Sequence, residues 1–323
     1  MIKAARILAL APDALALGLA ALCLAAAAAG QGGRVSARLD VLNHFAPVWF
    51  AGAFGMLVYA LAFASPSRRW MIVAIAAAGI VAAMTLILPE LTRSIRPAVP
   101  AGTGRELTLI QFNGWDQNAD IQDTADWVAA QKPDVVVMEE VRPPIRDALV
   151  RRGFHFQRGL AHAGIFTRLA PLPAPFAVPK DAWKTLPDFA RASFSVDGAP
   201  FSVVAVHLVW PTRKRQRPNM AALAELLRRY PADRLIVAGD FNLTPWSFAL
   251  RRFDDALGLE RRDRALFSWP ARLSPTARWG WPAPLLPIDH VYAGRAWRTI
   301  SLVRGPRLGS DHYPLLVRLA LTD

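Results

Sequence analysis

The chain has 323 residues, 53% of them hydrophobic, with a formal net charge of +13 and a single cysteine, Cys23. One cysteine excludes a disulfide framework and a cysteine-based zinc site, and the length allows one large domain or two ordinary ones. A basic balance suits an anionic partner such as phosphate, nucleic acid or a lipid headgroup, without choosing among them.

The first hundred residues hold eight of the 38 basic and three of the 25 acidic side chains. Three apolar stretches lie there, over about 7–29, 41–63 and 70–89. Each approaches the ~20 residues needed to cross a hydrocarbon core. Three in series, separated by short loops carrying Arg34, Arg38, Arg68 and Arg69, predict a transmembrane region over 1–92. Lys3 and Arg6, and Arg68 with Arg69, belong on the cytoplasmic side, so the N-terminus is expected inside and the C-terminal part outside. Ala27-Ala28-Ala29 before Gly30 offers an alternative, a cleaved leader, and that reading also leaves the large part outside. Residues 93–104 read as a juxtamembrane linker, and 105–323 as a globular domain.

That domain opens with a strand over 106–112 that ends at Asn113. A helix is expected over 120–131, stopped by Lys132-Pro133, and then a buried strand over 134–138 runs into Glu139-Glu140. Pro143-Pro144 opens a helix to about 152, and 164–167 reads as a short strand. Residues 190–196 and 200–206 form a hairpin across Asp197-Gly198, a two-residue turn signal, and its second strand ends at His207. A basic run, Arg213-Lys214-Arg215-Gln216-Arg217, precedes a helix over 219–230. The run Leu235-Ile-Val-Ala-Gly239 is a buried strand bounded by turn residues. It ends in Asp240 and Asn242, which alternation places on one face with Phe241 on the other. An acid and an amide placed so can orient a water and contact a phosphoryl oxygen; the same pair can equally form an Asx turn. A helix is expected over 246–257, an irregular Trp- and Pro-rich wall over 268–287, a short strand over 288–292 with Asp289, and a last strand over 315–321 after Asp311-His312.

Polar groups thus recur at the ends of apolar strands, and sandwich sheets bring such ends together. The motifs QFN (Asn113), MEEV (Glu140), GIFTR, VHL (His207), GDFN (Asp240, Asn242), IDHVY (Asp289) and SDHYP (Asp311, His312) resemble, in order, those of the endonuclease/exonuclease/phosphatase superfamily. This is the fold of DNase I, AP endonucleases, sphingomyelinases and inositol polyphosphate 5-phosphatases. The resemblance implies a four-layer α/β sandwich, here preceded by three transmembrane helices. It implies a metal-dependent phosphoric ester hydrolase using Mg2+, with Mn2+ as the alternative. Glu140 would be the principal metal ligand, with Asn113 and Asp311 completing or flanking the site. Asp240 would orient or deprotonate the attacking water, His207 and Asn242 would hold phosphate oxygens, and His312 would face the phosphate, kept cationic by Asp289. Whether Asp240 or His312 is the base stays open, as does one metal or two.

Glu139 stands where the superfamily commonly has Gln, and Val206 where Thr or Ser is common. The stretch 141–189 is short and lacks the tyrosine-bearing segment some nucleases use to grip DNA. Three spans before such a domain also resemble a narrower bacterial group that includes proteins of the teicoplanin-resistance type, linked to prenyl phosphate metabolism. The expected substrate is therefore phosphate-containing, a lipid-linked phosphate or pyrophosphate at the bilayer, with nucleic acid as the alternative. No obligate protein partner is inferred.

Overall fold

The computed structural model describes residues 2–178, 181–274 and 283–322. The chain folds as two compact units, residues up to Arg93 together with Pro245–Arg251, and Ser94–Thr244 with Arg252–Asp323.

The first unit holds α1 (Ile2–Gly30), the short α2 (Ala37–Asp40), α3 (Ala46–Ala62) and α4 (Pro66–Leu91). Three segments, Ala11–Arg34, Ala37–Ala62 and Pro66–Leu91, are long and apolar enough to span a membrane. Small side chains let these helices approach closely. Ala20, Ala27, Ala53, Ala60, Ala76 and Ala83 are fully buried. A Cβ added at Gly79 would lie 3.2 Å from that of Ala53. Asp13, inside the first apolar stretch, is satisfied by Tyr59 Oη at 2.8 Å and Ser65 Oγ at 2.6 Å, both donating to it. In the same unit the Asp40 carboxylate accepts the Phe248 and Ala249 N–H groups at 2.8 Å each, so Pro245–Arg251 folds with this unit.

The second unit is built on two mixed sheets. The strands are β1 (Arg105–Asn113), β2 (Val135–Glu139), β3 (His155–Arg158), β4 (Gly164–Thr167), β5 (Asp188–Val196), β6 (Ala199–His207), β7 (Leu235–Asp240), β8 (Glu260–Arg261), β9 (Asp289–Ala293), β10 (Trp297–Arg304) and β11 (Leu315–Leu321). One sheet runs β10-β11-β1-β2-β4-β3 and the other β5-β6-β7-β9-β8. Within them β1–β2 and β6–β7 are parallel and the other pairs antiparallel. The helices are α5 (Ile121–Ala130), α6 (Pro143–Arg151), α7 (Gln216–Leu227) and α8 (Phe248–Leu257), the last of which belongs to this unit from Arg252 onward.

Strand alternation sorts side chains into layers. Leu107, Leu109, Val135, Val137, Phe201, Val203, Ala205, Ile236, Ala238, Val291, Val317 and Leu319 form the core between the sheets. Ile110, Phe112, Val136 and Met138 face outward onto Ala125, Val128, Ile145, Ala148 and Leu149 of α5 and α6. Phe241 and Tyr292 pack with Phe253 of α8 on the outer side of the second sheet.

Three strands were not expected from the sequence: β3, β8 and β10. In β10 the register shifts between Thr299 and Ser301. That bulge lets both Trp297 and Leu302 reach the inter-sheet core, which breaks the period-two pattern. Helix α7 starts at Gln216, three residues before the expected 219. Pro218 falls in its first turn, where an N–H has no intrahelical acceptor. Of the Trp- and Pro-rich wall, Trp279, Trp281 and Pro282 lie outside the described residues; Trp269 is described below.

Candidate active site

The site is the polar continuation of the inter-sheet core. On each strand the inward-facing positions run from apolar to polar at one end: Leu107, Leu109, Gln111 and Asn113 on β1; Val203, Ala205 and His207 on β6; Ile236, Ala238 and Asp240 on β7. On β9 the order is reversed, Asp289 and then Val291 and Ala293. Pairing sets Asp240 opposite both His207 and Asp289, and Asn113 opposite Glu139. A one-residue slip would turn all of these away.

Two site residues have left-handed backbones, Glu140 at φ +54° and Asn242 at φ +50°. Such backbone costs a non-glycine residue about 1–2 kcal/mol, and strain of this kind clusters at functional sites. For Glu140 it turns a side chain that would otherwise face the helix layer toward Asn113 and His207. Gly239 is required for another reason: a Cβ there would lie 1.9 Å from the Val206 carbonyl oxygen.

All eight residues expected from the sequence come together. Asn113 Nδ2 donates to Glu140 Oε1 at 3.2 Å and to Asp240 Oδ2 at 3.1 Å. His207 Nε2 stands 3.7 Å from Asp240 Oδ2 and 3.9 Å from Glu140 Oε1. His312 Nε2 lies 3.6 Å from Asp240 Oδ2 and 4.0 Å from Asp311 Oδ1, and its Nδ1 is 2.8 Å from Asp289 Oδ2. Asn242 donates its backbone N–H to Asp240 Oδ1 at 2.8 Å. Its amide nitrogen donates to the Leu208 carbonyl at 2.8 Å and to Asp240 Oδ2 at 3.3 Å.

Buried charge sets the electrostatics. Burial opposes a charge on His312, yet the carboxylates of Asp289 and Asp240 overcome it and hold the imidazole well above the ordinary histidine range. Burial pushes Asp240 up to about 6, against the pull of His312. Asp289 is buried too, but His312 and Gln111 hold it below the usual carboxylate range. Burial, with Asp289 and Asp240 nearby, drives Glu139 well above it.

Gln111 and Trp269 are site residues that motif reading missed. Gln111 Nε2 bridges Glu139 Oε2 at 2.9 Å and Asp289 Oδ1 at 2.8 Å. Its position two before Asn113 was the available signal, since both share a face. The Trp269 indole N–H donates to Asp311 Oδ2 at 3.0 Å, and nothing local in the sequence points to that contact.

The donor set fits a hard divalent cation. Asp311 Oδ1 is buried without a hydrogen-bond partner, and burial together with the Glu140 charge raises Asp311. Two carboxylates that repel each other beside an orphaned oxygen are relieved by a cation. Among the described residues no three His, Cys, Asp or Glu side chains group as a complete metal cage. Mg2+ is typically held by one or two carboxylates, with waters and substrate phosphate completing its shell.

Beneath this cluster lies a second, closed one. His290 follows Asp289 but points to the opposite side of β9. Its Nδ1 is 2.7 Å from Asp263 Oδ2 and its Nε2 is 2.9 Å from the Leu243 carbonyl oxygen. Arg261 Nη1 adds a contact to Asp263 at 3.3 Å. Burial notwithstanding, His290 and Arg261 hold Asp263 well below the usual carboxylate range.

Solved structures share this architecture. An endonuclease/exonuclease/phosphatase from Bacteroides vulgatus aligns with a TM-score of 0.55 at 17% identity, over 67% of this chain and 99% of its own. A mannosyl-6-phosphatase from Bacteroides thetaiotaomicron aligns at 0.52 and 17%, over 66% and 99%. TDP2 from D. rerio, complexed with a single-strand DNA product, aligns at 0.51 and 17%, over 66% and 98%. A search of curated protein sequences finds no match. The profile of the Endonuclease/Exonuclease/phosphatase family matches residues 110–312, a span that contains every residue of the cluster from Asn113 to His312, and the chain belongs to that family.

Proposed function

We propose that this protein is a membrane-anchored, divalent-metal-dependent phosphoesterase. Its catalytic unit would lie outside the cytoplasm and act on lipid-linked phosphates or pyrophosphates. The observation that carries the chemistry is the convergence on Asp240 Oδ2 of three nitrogens from separate segments, Asn113 Nδ2 at 3.1 Å, His312 Nε2 at 3.6 Å and His207 Nε2 at 3.7 Å. The anchor would raise the effective concentration of a headgroup substrate at the site, and the loop arginines would set its orientation.

Asp240 is the base in this reading. It is pushed up to about 6, close to the range where a general base works best at neutral pH. His312 is already protonated and paired with Asp289, so it acts as the cation facing the phosphoryl group. His207 holds a non-bridging oxygen. Asn242 spends its amide donors on Leu208 and Asp240, so its task is to orient the base. Water gives its proton to Asp240 and its oxygen bonds to phosphorus. The bond from phosphorus to the leaving oxygen breaks, and that oxygen takes up a proton from solvent, to which Asp240 later returns its own. Glu140 and Asp311, with Asn113 beside them, would hold Mg2+ or Mn2+, which when bound polarises a phosphoryl oxygen and offsets developing charge.

The test uses the full chain in detergent with Mg2+, offered lipid phosphates, phosphodiesters, and single- and double-stranded DNA. Release of inorganic phosphate from the lipid phosphates is expected, lost with chelator and in Glu140→Ala. Full activity in that variant would sink the metal assignment. DNA cleavage without phosphate release would make the protein a nuclease instead, and a C-terminal reporter active in the cytoplasm would overturn the orientation.

A further inference from the structure

The cavity at the site, about 590 Å³, takes in Glu140, His207 and Asn242, and also Trp210, Arg213, Lys214 and Arg215. This volume is in the range of whole small-molecule sites, roughly 300–1,000 Å³, and far exceeds one phosphoryl group. The three cations are exposed and form no ion pair with a carboxylate among the described residues. Surface arginines elsewhere do pair: Arg142 with Asp116, Arg152 with Asp126, Arg295 with Asp233 and Arg318 with Glu106. Three adjacent like charges repel one another, and the only carboxylates in the same lining are Asp188 and the proposed metal ligand Glu140.

The loop that carries them is held in place. Buried Gln216 donates its side-chain N–H to the Val209 carbonyl at 2.9 Å, and Arg213 N–H donates to the Trp210 carbonyl at 2.9 Å. The Trp210 ring meets Trp269 edge-on at 5.8 Å, and Trp269 in turn donates to Asp311. The cations therefore sit on a scaffold tied to the proposed metal ligand.

We propose that Arg213, Lys214 and Arg215 form a second anion subsite that takes a phosphoryl group other than the one attacked, so that the preferred substrate is a diphosphate. This rests on the phosphoesterase reading above. A phosphomonoester brings a charge of about −1.5 to −2, and His312, His207 and a bound cation already meet it. Three further cations in the same cavity match a second phosphoryl group. Trp210, 48% exposed, gives the cavity an apolar wall beside them.

The experiment compares kcat/KM for dodecyl phosphate and dodecyl diphosphate, using full-length protein in detergent and phosphate release as the readout. The triple variant Arg213→Ala/Lys214→Ala/Arg215→Ala is set against Arg217→Ala, a neighbouring cation outside the cavity lining. The expected result is a loss on the diphosphate about 10- to 100-fold greater than on the monophosphate, the size of one or two lost charge-assisted contacts, carried by KM and absent in Arg217→Ala. Butyl diphosphate tells a soluble source from an amphiphilic one: equal discrimination on butyl and dodecyl esters assigns recognition to the diphosphate itself. Equal losses on mono- and diphosphate, or the same selective loss in Arg217→Ala, would overturn the subsite while leaving the phosphoesterase reading standing. A wild-type protein that hydrolyses neither ester, or a triple variant impaired chiefly on DNA, would remove both.

Discussion

Consecutive residues of β9 each contribute to a buried histidine–aspartate pair, one on each face of the sheet. On the inner face Asp289 holds His312 at 2.8 Å, and the far nitrogen of that ring looks across 3.6 Å to Asp240. On the outer face His290 is held by Asp263 at 2.7 Å, and its far nitrogen closes on the Leu243 carbonyl at 2.9 Å. The pairs are alike in chemistry and burial. They differ in what the second nitrogen meets, the Asp240 carboxylate beyond hydrogen-bond distance at 3.6 Å in one case and a backbone acceptor in the other. An open pair can work on a substrate. The closed one anchors the loop that follows Asp240 and Asn242.

Exchanging each acid for its amide should separate the two. Asp289→Asn is expected to lower kcat by about 10²- to 10³-fold, the usual worth of one preorganised group that stabilises developing charge. Its folding stability should change far less, because Asp289 also raises Glu139 and Asp240 and its removal relieves that repulsion. Steady-state rates beside thermal unfolding in detergent would reveal a variant that simply unfolds, which would erase the contrast. Asp263→Asn should do the opposite, costing about 3–5 kcal/mol of stability by leaving a buried charge uncompensated. Because folding depresses Asp263, its contribution is present above the unfolded carboxylate pKa of about 3.9 and lost as pH falls below it. Urea midpoints measured from neutral pH to about pH 3 should therefore drop more steeply in the wild type than in Asp263→Asn; parallel curves would count against the pairing. Arg318→Ala, which breaks a partly exposed pair with Glu106, is the yardstick outside both clusters and should cost less than about 1 kcal/mol.

The inner face was far more legible in the sequence than the outer one. Apolar strands that end in Asn113, His207, Asp240 and Asp289 announce themselves, since two-residue alternation carries a core-facing register straight into the polar end. Gln111 follows from the same rule. Asp263 does not: it belongs to the run Glu260-Arg-Arg-Asp-Arg264, which reads as a solvated surface. Arg261, Arg262 and Asp263 are in fact 2%, 4% and 2% exposed, and only tertiary pairing with Asp254, Glu260 and His290 allows it. The basic run at 213–217 was visible, but its sharing a cavity with Glu140 and His207 depends on how loop 209–216 folds back. Strand β10 was hidden by its bulge.

The left-handed backbone at Glu140 has a consequence for anyone improving this protein. Glycine adopts that conformation without a Cβ penalty, so a selection that rewards thermal tolerance alone should enrich Glu140→Gly. The same change deletes the carboxylate proposed to hold the metal. At this position laboratory evolution for robustness and evolution for turnover pull in opposite directions, and a library screened without an activity step would drift toward well-behaved, silent enzymes.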